Sequence, residues 1–282
     1  MKFHFLKMQG LGNDFVLFNS LNAAAPCFVP EMSLPWTPEF ARKIADRRFG
    51  VGADQLLWLK PASAGSGAFA RMEILNADGS VAEMCGNGIR AAGLFLARYC
   101  GGGAEGFSPE VLIETLDGVK TISCVGDQIR VDMGVPVLAP SLGVDGEPVE
   151  ILGQNFALYK VGMGVPHAVF FTDDVRGVAL EVLGPVIENH PMFPQKTNVD
   201  FVQVVSRSEV LMRVWERGAG ITLACGTGAC ASAVASILAG RVQSPVRVEL
   251  PGGVLTIEWA GAGASVFMTG PAVEVFRGEI EI

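Results

Sequence analysis

Apolar and polar residues alternate with a period of two over 129–133, 211–216, 248–250, 255–259 and 273–276, the pattern of strands buried on one face. Helical spacing occurs elsewhere. Thr37-Pro38-Glu39 is a helix start, with Thr as N-cap and Pro at the first helical position, and Phe40, Ala41, Ile44 and Ala45 form its apolar face. A second helical stripe runs over 179–190, interrupted by Pro185. Strands therefore outnumber helices, and the class is α+β. Loops are expected at 62–68, 101–109 and 136–148, the last a Pro-rich stretch read as the joint between two domains. Residues 23–38 read as a surface loop.

The pattern repeats at half the chain length. Met84-Cys85-Gly86-Asn87-Gly88 and Ala224-Cys225-Gly226-Thr227-Gly228 share the frame Cys-Gly-x-Gly, 140 positions apart in 282 residues, and each opens a run of small helical residues. Gly10-Leu11-Gly12-Asn13-Asp14-Phe15 likewise aligns with Gly162-Met163-Gly164-Val165-Pro166-His167. Two related domains, each with one thiol at a helix start, account for this.

Charge narrows the partners. The formal net charge is −8, and no Lys/Arg cluster is long enough to follow a phosphate backbone, so nucleic acid is excluded as an expected partner. No charged residue occurs from 218 to 240, nominally enough to span a bilayer. Its first third is too Gly-rich for a helix, however, and only about nine to twelve residues remain before Gly240, so a buried central helix is expected and no membrane partner. The six cysteines form no Cys-x-x-Cys pair and the N-terminus lacks a secretory apolar core, which points to a reducing cytoplasm. With three histidines at no ligand spacing, no metal is expected.

A free thiol is mostly protonated at neutral pH, and a helix N-terminus helps it act. Glycines there let backbone N–H groups approach an anion closely. Two such ends would hold one carboxylate and place the adjacent α-carbon between two sulfurs, one removing a proton and one returning it. Cys27, Cys100 and Cys124 read as small buried apolar residues, as does Cys230. His167, in the repeated turn, is a candidate supporting group. Glu216 and Asn76 occupy the same place in the two halves, and both are candidate site residues.

The stretches Met8–Phe15, Asn76–Arg90, Thr197–Val202 and Glu216–Gly228 resemble diaminopimelate epimerases, with likeness over essentially the whole chain. The resemblance implies two pseudo-symmetric domains, 1–129 plus 269–282 and 130–268, each a curved mixed sheet around a central helix, with the active site in the interdomain cleft. It implies a cofactor-independent isomerase interconverting LL- and meso-2,6-diaminopimelate, acting in the cytoplasm as a homodimer. Cys85 and Cys225 would be the two acid–base thiols, assisted by His167 and Glu216. Gly86, Asn87, Gly226 and Thr227 would hold the reacting carboxylate, and Asn13, Gln55, Asn76, Asn198, Glu216 and Arg217 would contact the small amino-acid substrate. One departure stands out: the family's Gly-Asn-Pro-His turn is Gly164-Val165-Pro166-His167 here. An epimerase of another amino or imino acid, or a non-catalytic small-molecule binder, is the alternative that Val165 raises.

Overall fold

The computed structural model describes residues 1–101, 110–138 and 144–282. The chain divides into two compact units, Met1–Val131 with Gly270–Ile282, and Asp132–Thr269. The boundary lies upstream of the Pro-rich stretch at 136–148, so that stretch is not the joint. Positions 139–143 of it, like 102–109 of the expected 101–109 loop, lie outside the described residues.

The first unit is built from β1 (Lys2–Gly10), β2 (Asn13–Asn19), α1 (Pro38–Ala45), β3 (Gln55–Lys60), β4 (Ala70–Asn76), β5 (Val81–Ala82), α2 (Gly86–Tyr99), β6 (Val111–Thr115), β7 (Gly118–Val125) and β8 (Gln128–Asp132). The second contains β9 (Val137–Leu138), β10 (Glu147–Ile151), β11 (Gln154–Gly162), β12 (Pro166–Phe171), α3 (Leu180–Glu188), β13 (Asn198–Ser206), β14 (Glu209–Glu216), β15 (Gly220–Ile221), α4 (Gly226–Leu238), β16 (Val246–Leu250), β17 (Gly253–Trp259) and β18 (Val266–Gly270). The chain then closes with β19 (Val273–Glu281), which pairs with β1 in the first unit.

Ladder order is the same in both units. In the first it runs β19-β1-β2-β3-β4-β6-β7-β8, with β2–β3 and β4–β6 parallel and the other pairs antiparallel. In the second it runs β10-β11-β12-β13-β14-β16-β17-β18, with β12–β13 and β14–β16 parallel. Each sheet is therefore mixed, and α2 and α4 occupy the same topological place.

Small residues let those two helices sit inside their sheets. α2 contacts β19, β1, β2 and β3 near one end of the ladder and β7 near the other, so the sheet curves around it. Gly93 permits this closeness: a Cβ there would stand 2.9 Å from Ile122. α4 is likewise buried from Gly228 to Ser236 and contacts β11–β14 as well as β16 and β17. No helix among the described residues is long and apolar enough to cross a membrane.

α1 and α3 cover the other faces. The Thr37 hydroxyl accepts the Phe40 N–H, capping α1, and Phe40 and Ile44 pack with Phe18, Leu56 and Trp58. Val29 and Leu34 enter this same core, so residues 23–38 are more than a surface loop. Their strand-like pairing to Asn19 draws the segment inward. α3 keeps Pro185 within it and packs on the Phe170–Phe201 core. Cys124 departs from its expected burial. It shares a face with buried Ile122 but lies near the β7–β8 hairpin, beyond the core, and is exposed.

Candidate active site

Each conspicuous cysteine caps a central helix. Cys85 is the N-cap of α2, and its sulfur accepts the Gly88 N–H at 3.3 Å. Cys225 is the N-cap of α4, without such a side-chain cap. Gly86 and Asn87 form the first turn of α2, Gly226 and Thr227 that of α4, where backbone N–H groups have no helical acceptor. All six cysteines are free thiols.

Around Cys85 the side chains are mostly amides. Gly10 pairs with Asn13 across the β1–β2 hairpin, and this turn is followed by a strand rather than a phosphate-binding helix. The Asn13 amide donates to Asp54 at 2.8 Å, which turns its Oδ1 towards Cys85 Sγ at 3.6 Å and Asn87 Nδ2 at 3.3 Å. Gln55 and Asn76 are opposite each other on β3 and β4, and Gln55 donates to Asn76 at 2.8 Å. The Gln55 Oε1 is buried and has no hydrogen-bond partner in the structure.

Charged residues anchor this amide set. Arg47 bridges Asp14 and Asp54, and Lys7 donates to Asp14 and to the Gly52 carbonyl. Burial opposes ionisation of Asp14, but the hydrogen bonds from Arg47 and Lys7 outweigh it and hold the carboxyl down at about 2. Arg90, fully buried, donates to Asn87 Oδ1 at 2.9 Å and to the Gly86 carbonyl at 3.1 Å. Arg90 fixes the first turn of α2.

Around Cys225 titratable groups replace amides. His167 Nε2 lies 3.0 Å from Thr227 Oγ1, which lies 3.5 Å from Cys225 Sγ. Its Nδ1 lies 2.7 Å from Asp200 Oδ2, with both side chains fully buried. Burial pushes the Cys225 thiol well up, and the Glu216 and Asp200 charges push it further. Burial also raises Glu216, against a hydrogen bond donated by Thr222.

Asn198 and Arg217 adjoin this group. Asn198 Oδ1 accepts the Arg217 N–H at 2.9 Å, so its amide nitrogen faces the Pro166 carbonyl and His167 Nε2. The Arg217 guanidinium donates to the Gln195 carbonyl, and Glu188 accepts the Gly218 N–H of the same turn. Thus Asn13, Gln55, Asn76, Cys85, Gly86 and Asn87 belong to the first unit, and His167, Asn198, Glu216, Arg217, Cys225, Gly226 and Thr227 to the second. Sequence reasoning gave no role to Asp54, Arg90, Asp200 or Thr222. Arg90, Asp200 and Thr222 stand inside recognised motifs, but nothing in their spacing marks them as neighbours of the site.

A family model for diaminopimelate epimerase matches residues 5–139 and 159–275. Among curated relatives, the diaminopimelate epimerase of Moorella thermoacetica is 47% identical over 99% of both chains, and that of Desulfitobacterium hafniense is 48% identical over 97% of this chain and 96% of its own. This chain belongs to the diaminopimelate epimerase family. Solved structures extend the likeness at the level of fold. A Bacillus anthracis phenazine biosynthesis protein of the PhzF family covers all of both chains with a TM-score of 0.71 at 14% identity. A hydroxyproline epimerase from Agrobacterium vitis has a TM-score of 0.68 at 17% identity, over 99% of this chain and 91% of that one.

Proposed function

We propose that this chain is a cofactor-independent isomerase that interconverts LL- and meso-2,6-diaminopimelate. The observation that carries the reading is the pair of thiols, each at the N-cap of a buried helix whose first-turn backbone N–H groups have no helical acceptor. One sulfur removes the α-proton and the other protonates the opposite face of the same carbon. Their roles exchange when the reaction reverses.

The other groups divide the remaining work. Gly86, Asn87, Gly226 and Thr227 hold the reacting carboxylate and stabilise the negative charge that builds on it as the proton leaves. Asn13, Gln55, Asn76, Asn198, Glu216 and Arg217 bind the rest of the substrate. The planar cation of Arg217 suits the distal carboxylate, which makes a second amino-acid centre a requirement. His167 and Glu216 supply and accept protons for the thiols. The working form is a cytoplasmic homodimer made from domains 1–129 plus 269–282 and 130–268.

Purified protein with reductant, LL-diaminopimelate and deuterated water tests the substrate. Chiral chromatography is expected to show meso product, with label at the α-carbon and no added cofactor. Turnover of a proline-type acid without turnover of diaminopimelate would replace this reading with the imino-acid alternative. Binding without exchange would leave only a binding protein.

A further inference from the structure

Asp200 is the group in the second unit that the proposed reaction leaves without work. It is wholly buried, one oxygen lies 2.7 Å from His167 Nδ1, and the other has no hydrogen-bond partner in the structure. A buried carboxylate left half satisfied costs stability, so its presence calls for an explanation beyond folding. The first unit supplies the comparison. Phe15 pairs with Gln55 on β2 and β3 as His167 pairs with Asn198 on β12 and β13, so two residues along, Leu57 occupies the place of Asp200. Each faces the glycine three residues after the cysteine: a Cβ on Gly88 would lie 3.2 Å from Leu57, and one on Gly228 would lie 2.8 Å from Asp200 Oδ1. An apolar side chain fills this slot in one unit, so the fold does not demand a carboxylate in the other.

We infer that Asp200 is a positioning residue: it fixes the His167 imidazole with its proton on Nδ1, so that Nε2 is the acceptor at the end of a path from Cys225. A second contact agrees with this tautomer. The Asn198 carbonyl is taken by the Arg217 N–H, so the Asn198 amide nitrogen is the group 3.5 Å from His167 Nε2, and a nitrogen facing an N–H donor there must accept. Nε2 then accepts the Thr227 hydroxyl at 3.0 Å, which frees the Thr227 oxygen to accept the Cys225 S–H at 3.5 Å. When Cys225 loses its proton, that proton passes to Thr227 Oγ1 as the Thr227 hydroxyl proton passes to His167 Nε2. Cys225 becomes thiolate, His167 becomes imidazolium, Thr227 is unchanged, and the Asp200 carboxylate faces the new charge. The reverse shift restores the thiol. Glu216 is the other acidic group facing Cys225, and it carries no contact that orients the imidazole.

This inference rests on the epimerase reading only for its kinetic arm. Nitrogen NMR of ¹⁵N-labelled protein reads the tautomer directly, and with His4 and His190 as the other histidines the His167 signals can be assigned by substitution. Wild-type protein is expected to carry the proton on Nδ1. In Asp200→Asn, whose amide can donate to Nδ1, the proton is expected to move to Nε2, with kcat on diaminopimelate falling about 10²-fold and KM holding within about twofold. Asp200→Glu is expected to keep the wild-type tautomer and recover at least about a tenth of kcat. A wild-type proton on Nε2, an unmoved tautomer in folded Asp200→Asn, or an unchanged kcat after the tautomer moves would overturn the assignment. The wild-type spectrum decides the matter even if no variant folds. Absence of diaminopimelate turnover in wild type would sink the proposed function and leave the tautomer result to judge Asp200 alone.

Discussion

The start of α2 and the start of α4 have one backbone plan and opposite polarity. At matched ladder positions Phe15, Leu57 and Asn76 of the first unit give way to His167, Asp200 and Glu216 in the second, and Asn87 gives way to Thr227 in the helix turn. Around Cys85 the polar side chains in reach are neutral amides, held from behind by Asp54, Arg47 and Arg90. Around Cys225 they are an imidazole, a hydroxyl and two carboxylates. A repeated fold can therefore place two sulfurs in equivalent frames while surrounding one with amides and the other with acid–base side chains.

Removing either sulfur should break the comparison most severely. Cys85→Ala and Cys225→Ala are each expected to lower net epimerisation by at least about 10³-fold in a steady-state assay, with the fold unchanged by circular dichroism. Near-normal activity in either variant would mean that its frame is structural only.

Glu216→Gln sharpens the contrast between acid-rich and amide-rich surroundings, because it gives the second unit the kind of group that the first has in Asn76. A loss in kcat of about 10²-fold is expected. Stability should move the other way. Because burial raises the folded carboxyl above 4.5, the folded protein binds the extra proton, and stability falls as pH rises through the interval from 4.5 to the raised value. The amide escapes that loss. Scanning calorimetry at neutral pH should show a Tm gain of about 1–3 °C for the variant, vanishing below pH 4.5.

Val165 faces the same comparison from the turns, since the aligned residue in the first unit is Asn13. Val165→Asn adds a donor and acceptor for a charged substrate group, worth about 1.5 kcal/mol, and KM for diaminopimelate should fall about tenfold with kcat little changed. An unchanged KM would mean that this position does not reach substrate.

The smallest effect belongs behind Cys85. Asp14, held at about 2 against an ordinary 3.8, contributes stability that is present above pH 3.8 and lost as pH falls through 2. Arg47→Ala should cost only about 1 kcal/mol at pH 7, because the guanidinium is largely exposed, and should shift the acid unfolding midpoint upward. Urea and acid titrations followed by tryptophan fluorescence would measure both.

Much of this contrast was legible in the chain. The Cys-Gly-x-Gly frames mark both helix starts, Thr37-Pro38 marks α1, and the offset of 140 places Asn76 and Glu216 at the ends of matching strands. Local pattern could go no further where distant strands decide the neighbour. His167 meets Asp200 only because β12 and β13 run parallel in one register across 33 residues, and Asn13 meets Asp54 across 41. Hydrophobicity alone also misplaced Cys124, which shares a strand face with buried Ile122 but stands past the core along the strand. Residues 23–38 misled for the opposite reason. A turn-rich composition hid Val29 and Leu34, two anchors that carry an irregular segment into the interior.

The division of labour between the two thiols is tested most directly by following the α-hydrogen during the first few per cent of conversion of LL-diaminopimelate in deuterated water. Two sulfurs acting from opposite faces predict meso product that carries solvent deuterium from the earliest time points, while unreacted LL substrate still carries protium. Product that retains the substrate's own hydrogen, or substrate that gains deuterium as fast as product forms, would mean that a single group serves both faces.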